Sequence, residues 1–104
     1  MDNFKAVYKI LRTLEKAMDY SEFSLEQISA EKLGISQERW ARYLEMMLDV
    51  GYIKGVQIYI DITDEINVDN NGIRITLKGL EYLQENAIMQ RLYKTAKGIV
   101  DLVP

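Results

Sequence analysis

From Ser24 to Leu83 the sequence places its structural signals in an order that few folds can satisfy. Ser24-Leu25-Glu26-Gln27 has the form of a capping box, a hydroxyl followed three residues later by Gln. It predicts a short helix at about 25–32, burying Leu25, Ile28 and Leu33. Gly34 stands where a left-handed residue ends a helix at low steric cost. Ser36 then caps a helix over 37–50, with Trp40, Tyr43, Leu44, Met47 and Leu48 facing inward and Gly51 closing it. Two helices joined by a few residues containing Gly are the helix-turn-helix signature.

Beyond Gly51 the apolar period drops to two. Val56, Ile58, Ile60 and Ile62 alternate with Gln57, Tyr59, Asp61 and Thr63, as in a half-exposed strand. Residues 64–69 read as acidic and irregular, and Asn70-Asn71-Gly72 supplies residues tolerant of positive φ, suited to a tight turn. Ile73 and Ile75 flank Arg74 in a second strand, so the hairpin has either a long tip at about 63–72 or a tighter turn at 70–72. Thr76 caps a further helix to about Glu85, with Leu77, Leu80 and Tyr82 or Leu83 packing inward. Gly79 in that helix lacks a side chain, which suggests close approach to a strand.

Before this series, residues 3–18 form a helix whose stripe is Phe4, Val7, Leu11, Leu14 and Met18, capped by Asp2 or Asn3. After it, a last helix over about 88–101 carries Ile88, Leu92, Ala96, Ile99 and Val103 on one face. The whole is an α+β chain, a winged helix-turn-helix with a three-helix core and a β-hairpin wing, plus additional C-terminal helices. At 104 residues it is expected to be one domain, 1–104.

Composition narrows the chemistry. The sequence has neither cysteine nor histidine, which removes thiol nucleophiles, disulfides, and the usual acid/base and metal ligand near neutral pH. No phosphate-cradling Gly loop and no Ser nucleophile with a base are present. The expectation is therefore no enzyme, no catalytic residues, no cofactor, no metal and no small-molecule substrate. No apolar run approaches the roughly 20 residues of a membrane span, and Met1-Asp2-Asn3 does not open a secretion signal. A cytoplasmic protein without a membrane partner is expected.

The motifs Gly34-Ile35-Ser36-Gln37-Glu38-Arg39-Trp40 and Leu48-Asp49-Val50-Gly51-Tyr52-Ile53-Lys54-Gly55-Val56 resemble the YjcQ family of small bacterial and prophage proteins. Thr76-Leu77-Lys78-Gly79-Leu80-Glu81-Tyr82-Leu83-Gln84-Glu85-Asn86 and Tyr93-Lys94-Thr95-Ala96-Lys97 are similar too, so the likeness runs over roughly 3–104. The resemblance implies a winged-helix fold and a phage-related origin, and it carries no activity or catalytic residues.

Two functions compete. In the first the chain binds double-stranded DNA as a regulatory accessory protein: Gln37, Arg39 and Arg42 approach bases from the helix at 37–50, while Lys54 or Arg74 touches phosphates. Against it, residues 36–50 carry a net charge of −1 and residues 52–76 one of −2, within a chain of −3. An alternative basic stripe, Lys5, Lys9, Arg12 and Lys16, could join Arg91, Lys94 and Lys97 if the terminal helices lie side by side, or could simply solubilise both helices. In the second function the winged fold serves as a protein–protein interaction module or homodimer that does not bind DNA. Tyr59 suits a protein contact on the wing, or packs on a neighbouring strand. Trp40 reads as core rather than as a stacking platform for a base. Asp61, Asp64, Glu65 and Asp69 form a loose oxygen cluster without calcium-loop order, and read as a solvated tip.

Overall fold

A computed structural model describes residues 3–87 of the chain. Helix α1 (Asn3–Lys16) runs into a 3-10 turn at Ala17–Asp19. A second 3-10 turn (Leu25–Ile28) precedes the one-turn helix α2 (Ala30–Leu33), and α3 (Gln37–Asp49) follows. Strands β1 (Ile53–Ile60) and β2 (Ile66–Ile75) pair antiparallel as the wing, and α4 occupies residues 77–87. This is the winged-helix architecture with an extra C-terminal helix. The expected helix at 88–101 lies outside the described residues.

The core forms where α1, α3 and the wing's base meet. Ile10, Leu11, Leu14, Ile28, Leu44, Met47 and Ile53 are fully buried there, joined by Trp40, Ile73, Ile75 and Leu83. Trp40 anchors the helix-turn-helix, because its indole N–H donates to the Ile28 carbonyl at 2.7 Å and so leaves no buried donor unmet. Ser36 caps α3 by accepting from Arg39 N, and Gly34 ends α2 at φ 69°, as the sequence predicts.

Other expectations need correction. The helix at 25–32 is two pieces, because Ser29 adopts an extended conformation and its hydroxyl caps α2 through Lys32 N. Ser24 accepts from Glu26 N rather than from Gln27, which suits a tight 3-10 turn. On α1 the buried face is Ala6, Ile10, Leu11 and Leu14, so Phe4 and Met18 are left exposed. Leu77 is exposed too, and Leu83 takes the core position on α4.

The largest correction concerns the hairpin. The chain reverses at 61–65, where Asp61 N donates to the Glu65 carbonyl at 2.9 Å and Asp64 takes a left-handed φ of 65°. Asn70-Asn71-Gly72 is not the turn but a bulge inside β2. Register passes from Lys54↔Arg74 to Val56↔Asn70, so β2 carries two extra residues there. Asn70 holds the bulge: its Oδ1 accepts from Gly72 N and Ile73 N, and its Nδ2 donates to the Phe23 carbonyl at 2.7 Å. Gly55 faces the bulge at φ 81°, and a Cβ there would sit 2.2 Å from the Gly72 carbonyl oxygen.

Gly79 fulfils its expectation of close approach. A Cβ at this position would lie 2.4 Å from the Tyr52 carbonyl oxygen and 2.6 Å from Ile75 Cγ1. Intrinsic helix propensity favours Ala over Gly by about 1 kcal/mol. The contact reverses that sign, so Gly79→Ala is expected to lower stability by about 1–3 kcal/mol, the usual cost of overpacking. Urea denaturation of the variant checks this, and an unchanged or raised midpoint would refute the close docking of α4.

Candidate interaction surfaces

Helix α3 presents Gln37, Glu38, Arg39, Arg42, Glu45 and Met46 outward, as expected of a reading helix. Arg39, though exposed, is nonetheless bonded to other side chains of the chain. Its Nη1 donates to Asn3 Oδ1 at 3.0 Å and to the Tyr43 hydroxyl at 3.3 Å, while that hydroxyl donates to the same Asn3 oxygen at 2.5 Å. The guanidinium thus ties the start of α1 to α3. Sequence spacing places Arg39 on the outer face but cannot reveal a partner 36 residues away.

Lys54 and Arg74 come together at the base of the wing, directly opposite one another in the register. Two cations in a cross-strand pair repel unless something else holds them. Here Arg74 turns its Nη1 onto the Gly72 carbonyl at 2.8 Å, within the bulge. On α1 Lys5, Lys9, Arg12 and Lys16 are all exposed, and Arg12 is paired with Glu15. Arg91, Lys94 and Lys97 lie outside the described residues, and with them the joined basic surface.

Between the start of α1 and the edge of α3 runs an open groove of about 640 Å³, whose lining includes Phe4, Val7, Met46, Val50, Tyr52 and Tyr82. Phe4 is 75% exposed and Met46 52%. Tyr52 and Tyr82 meet as tilted rings with centroids 4.9 Å apart. Arg39 and Arg42 border the same groove, so the helix edge carrying them is as much apolar as basic. The sequence gives Phe4 and Val7 to a core stripe. Their role as groove wall depends on where α3 crosses α1, which spacing alone does not encode.

The wing has two unlike faces. Cross-strand pairs Ile58↔Val68 and Ile60↔Ile66 are aliphatic, whereas Gln57↔Asp69 and Tyr59↔Asn67 are polar. Tyr59 is 42% exposed and lies beside Asp69, whose negative charge is the largest influence raising the phenol above its ordinary pKa. Asp61 directs its carboxylate into the turn itself. Its carboxylate accepts from the Thr63 hydroxyl at 2.5 Å, from Thr63 N and Glu65 N, and from Asn67 Nδ2 at 2.7 Å. Among the described residues no group of three or more carboxylates is placed to hold a metal ion, and no helix is long and apolar enough to cross a membrane.

The family described as YjcQ protein matches residues 8–102. A relative from Bacillus subtilis (strain 168), named "Uncharacterized protein YjcQ", is 32% identical over 76 residues, which is 73% of this chain and 78% of the relative. No solved structure matches. The chain belongs to the YjcQ family.

The four bonds to Asp61, led by the Thr63 hydroxyl, hold its carboxyl at about 2, below the usual carboxylate range. A depressed folded pKa contributes stability that is present above the unfolded value and disappears as pH falls through the folded one. The tip is therefore expected to hold at neutral pH and to loosen from about pH 4 toward pH 2. An NMR titration following Asp61, Thr63 and Glu65 checks this, and a midpoint near 4 would show that the turn is not built on the carboxylate.

Proposed function

We propose that this chain is a non-catalytic accessory protein that acts by binding, with its winged-helix scaffold turned toward a protein partner rather than toward bare DNA. The observation that carries the reading is the charge of the wing. From Gly55 to Ile73 there is no Lys or Arg, while Asp61, Asp64, Glu65 and Asp69 all fall within it. A DNA-contacting wing works by phosphate attraction, which supplies essentially all non-specific affinity. Carboxylates in its place repel the duplex. The engagement of Arg39 with Asn3 and Tyr43 supports the same reading, because it occupies donors of one of the expected base-reading groups. A phage-related accessory role and a cytoplasmic location belong to this proposal.

A second reading keeps DNA as the partner. What favours it is the outer face of α3, where Gln37 and Arg42 remain exposed side by side with Arg39. Arg bonds guanine bidentately and Gln bonds adenine, so the chemistry for base readout is present. Lys54 and Arg74 then provide the phosphate contacts.

Fluorescence anisotropy with random duplex DNA at about 50 and 200 mM salt separates the two readings. The expected outcome is no micromolar binding at either salt. Binding at low salt that weakens steeply at high salt, and that falls about tenfold in Arg42→Ala, would establish the second reading in place of the first.

A further inference from the structure

We propose that the aliphatic face of the wing is a docking surface for a protein partner that presents an apolar strip flanked by lysine or arginine side chains. This rests on the reading of the chain as a protein-interaction module, and it adds the surface and the partner's chemistry.

The argument begins with the pleat. Alternation along paired strands sends Val56, Ile58 and Ile60 to one side with Val68 and Ile66 opposite them. Val56 is buried at the wing's base. Moving outward, Ile58, Val68 and Ile66 are only half-buried, Ile60 is 68% exposed, and Ile62 at the tip is fully exposed. The strip therefore leaves the core and continues into solvent. A two-stranded sheet needs a layer over its apolar face to be stable in water. Among the described residues no element covers the outer half of this one. A wing that was simply solvated would need no aliphatic pairs at its outer positions.

Charge then selects the occupant. Ile60 and Ile62 sit among Asp61, Asp64 and Glu65, with no Lys or Arg from Gly55 to Ile73 to offset them. These carboxylates repel nucleic acid and anionic lipid surfaces alike. A second copy meeting it wing to wing would bring the same carboxylates to the contact. Complementarity therefore favours a foreign surface with an apolar centre and a cationic rim, which uses the isoleucines for affinity and the carboxylates for steering and register.

The test uses the full chain with labelled Ile and Val methyl groups, followed by NMR. Three synthetic peptides serve as probes: an amphipathic Leu/Lys helix, a matched Leu/Glu helix, and a Ser/Lys peptide of equal charge. The Leu/Lys peptide is expected to shift the methyls of Ile58, Ile60, Ile62, Ile66 and Val68, and the other two to leave them unmoved. Ile60→Ser combined with Ile62→Ser should weaken that binding about tenfold or more, since two largely buried isoleucines are lost from the contact. Both side chains are exposed in the free protein, so unchanged Ile10 and Ile28 methyl signals will show that the variant remains folded. Equal response to the Ser/Lys peptide, or shifts confined to the groove at Val7 and Val50, would overturn the docking surface. Wing shifts that grow with protein concentration alone would assign the face to a second copy and overturn the foreign partner. Steep, salt-dependent binding of duplex DNA would instead remove the interaction-module reading itself, whichever methyls the peptides move.

Discussion

Thr76 holds the ends of four elements in one place, and the rest of the structure depends on that junction. Its backbone N–H donates to the Tyr52 carbonyl at 2.9 Å, and its hydroxyl donates to the Gly51 carbonyl. The same oxygen accepts from Gly79 N at 3.1 Å and so caps α4. One residue thereby joins the end of α3, the start of β1, the end of β2 and the start of α4. Gly79, flush against the Tyr52 carbonyl, lets α4 come close enough for Leu83 to enter the core. The arrangement closes polar groups that would otherwise be orphaned at a helix start, and it fixes the direction in which the wing leaves the body.

Most of this architecture was legible in the sequence because it is encoded locally. Ser36, Gly34 and Thr76 announce helix ends through the side chain or backbone freedom of one residue, and each does so in the structure. The α3 face was legible as well, since Trp40, Tyr43, Leu44 and Met47 follow helical spacing and are all buried. The hairpin misled because two segments carried turn chemistry. Asn70-Asn71-Gly72 has the stronger composition for a turn, but Asp61 organises its own reversal with four hydrogen bonds. Asn70 instead reaches Phe23, 47 residues away, and that tertiary bond makes a bulge of the better turn sequence. Phe4, Met18 and Leu77 failed for a related reason. Periodicity identifies an apolar side of a helix, but only the crossing of neighbouring helices decides which part of that side is covered.

The candidate surfaces were less legible than the fold. Exposure of Gln37, Arg39 and Arg42 follows from helical phase, and the structure agrees. What Arg39 does with its charge depends on Asn3, which no local pattern links to it. The amphipathic wing is half visible: the alternation of Val56, Ile58, Ile60 and Ile62 is plain, but the turn chemistry of Asn70-Asn71-Gly72 points to a partner strand that starts later in the chain than β2 does. With β2 starting at Ile66, Ile66 and Val68 join the same face, and residues read as an irregular acidic loop become half of an aliphatic strip.

The scaffold is indifferent to these surface choices, and that independence explains how a winged helix can change its partner. Among the described residues the core contains no buried polar or charged side chain, so the internal packing places no demand on the sign of the outer charges. The Asp61 turn satisfies itself through backbone groups of 61–65 and the Thr63 and Asn67 side chains, leaving the Asp64 and Glu65 side chains exposed. A carboxylate held about 5 Å from a phosphate costs somewhat less than about 1 kcal/mol in a watery dielectric, and a cation in that place contributes a similar amount of the opposite sign. A wing whose outer part carries several carboxylates and no cation therefore differs from a cationic one by a few kcal/mol, enough to separate micromolar attraction from none. The same exchange leaves the aliphatic pairs of the hairpin untouched. A wing of this kind loses its electrostatic reason to approach a phosphate backbone while keeping an apolar reason to approach something else.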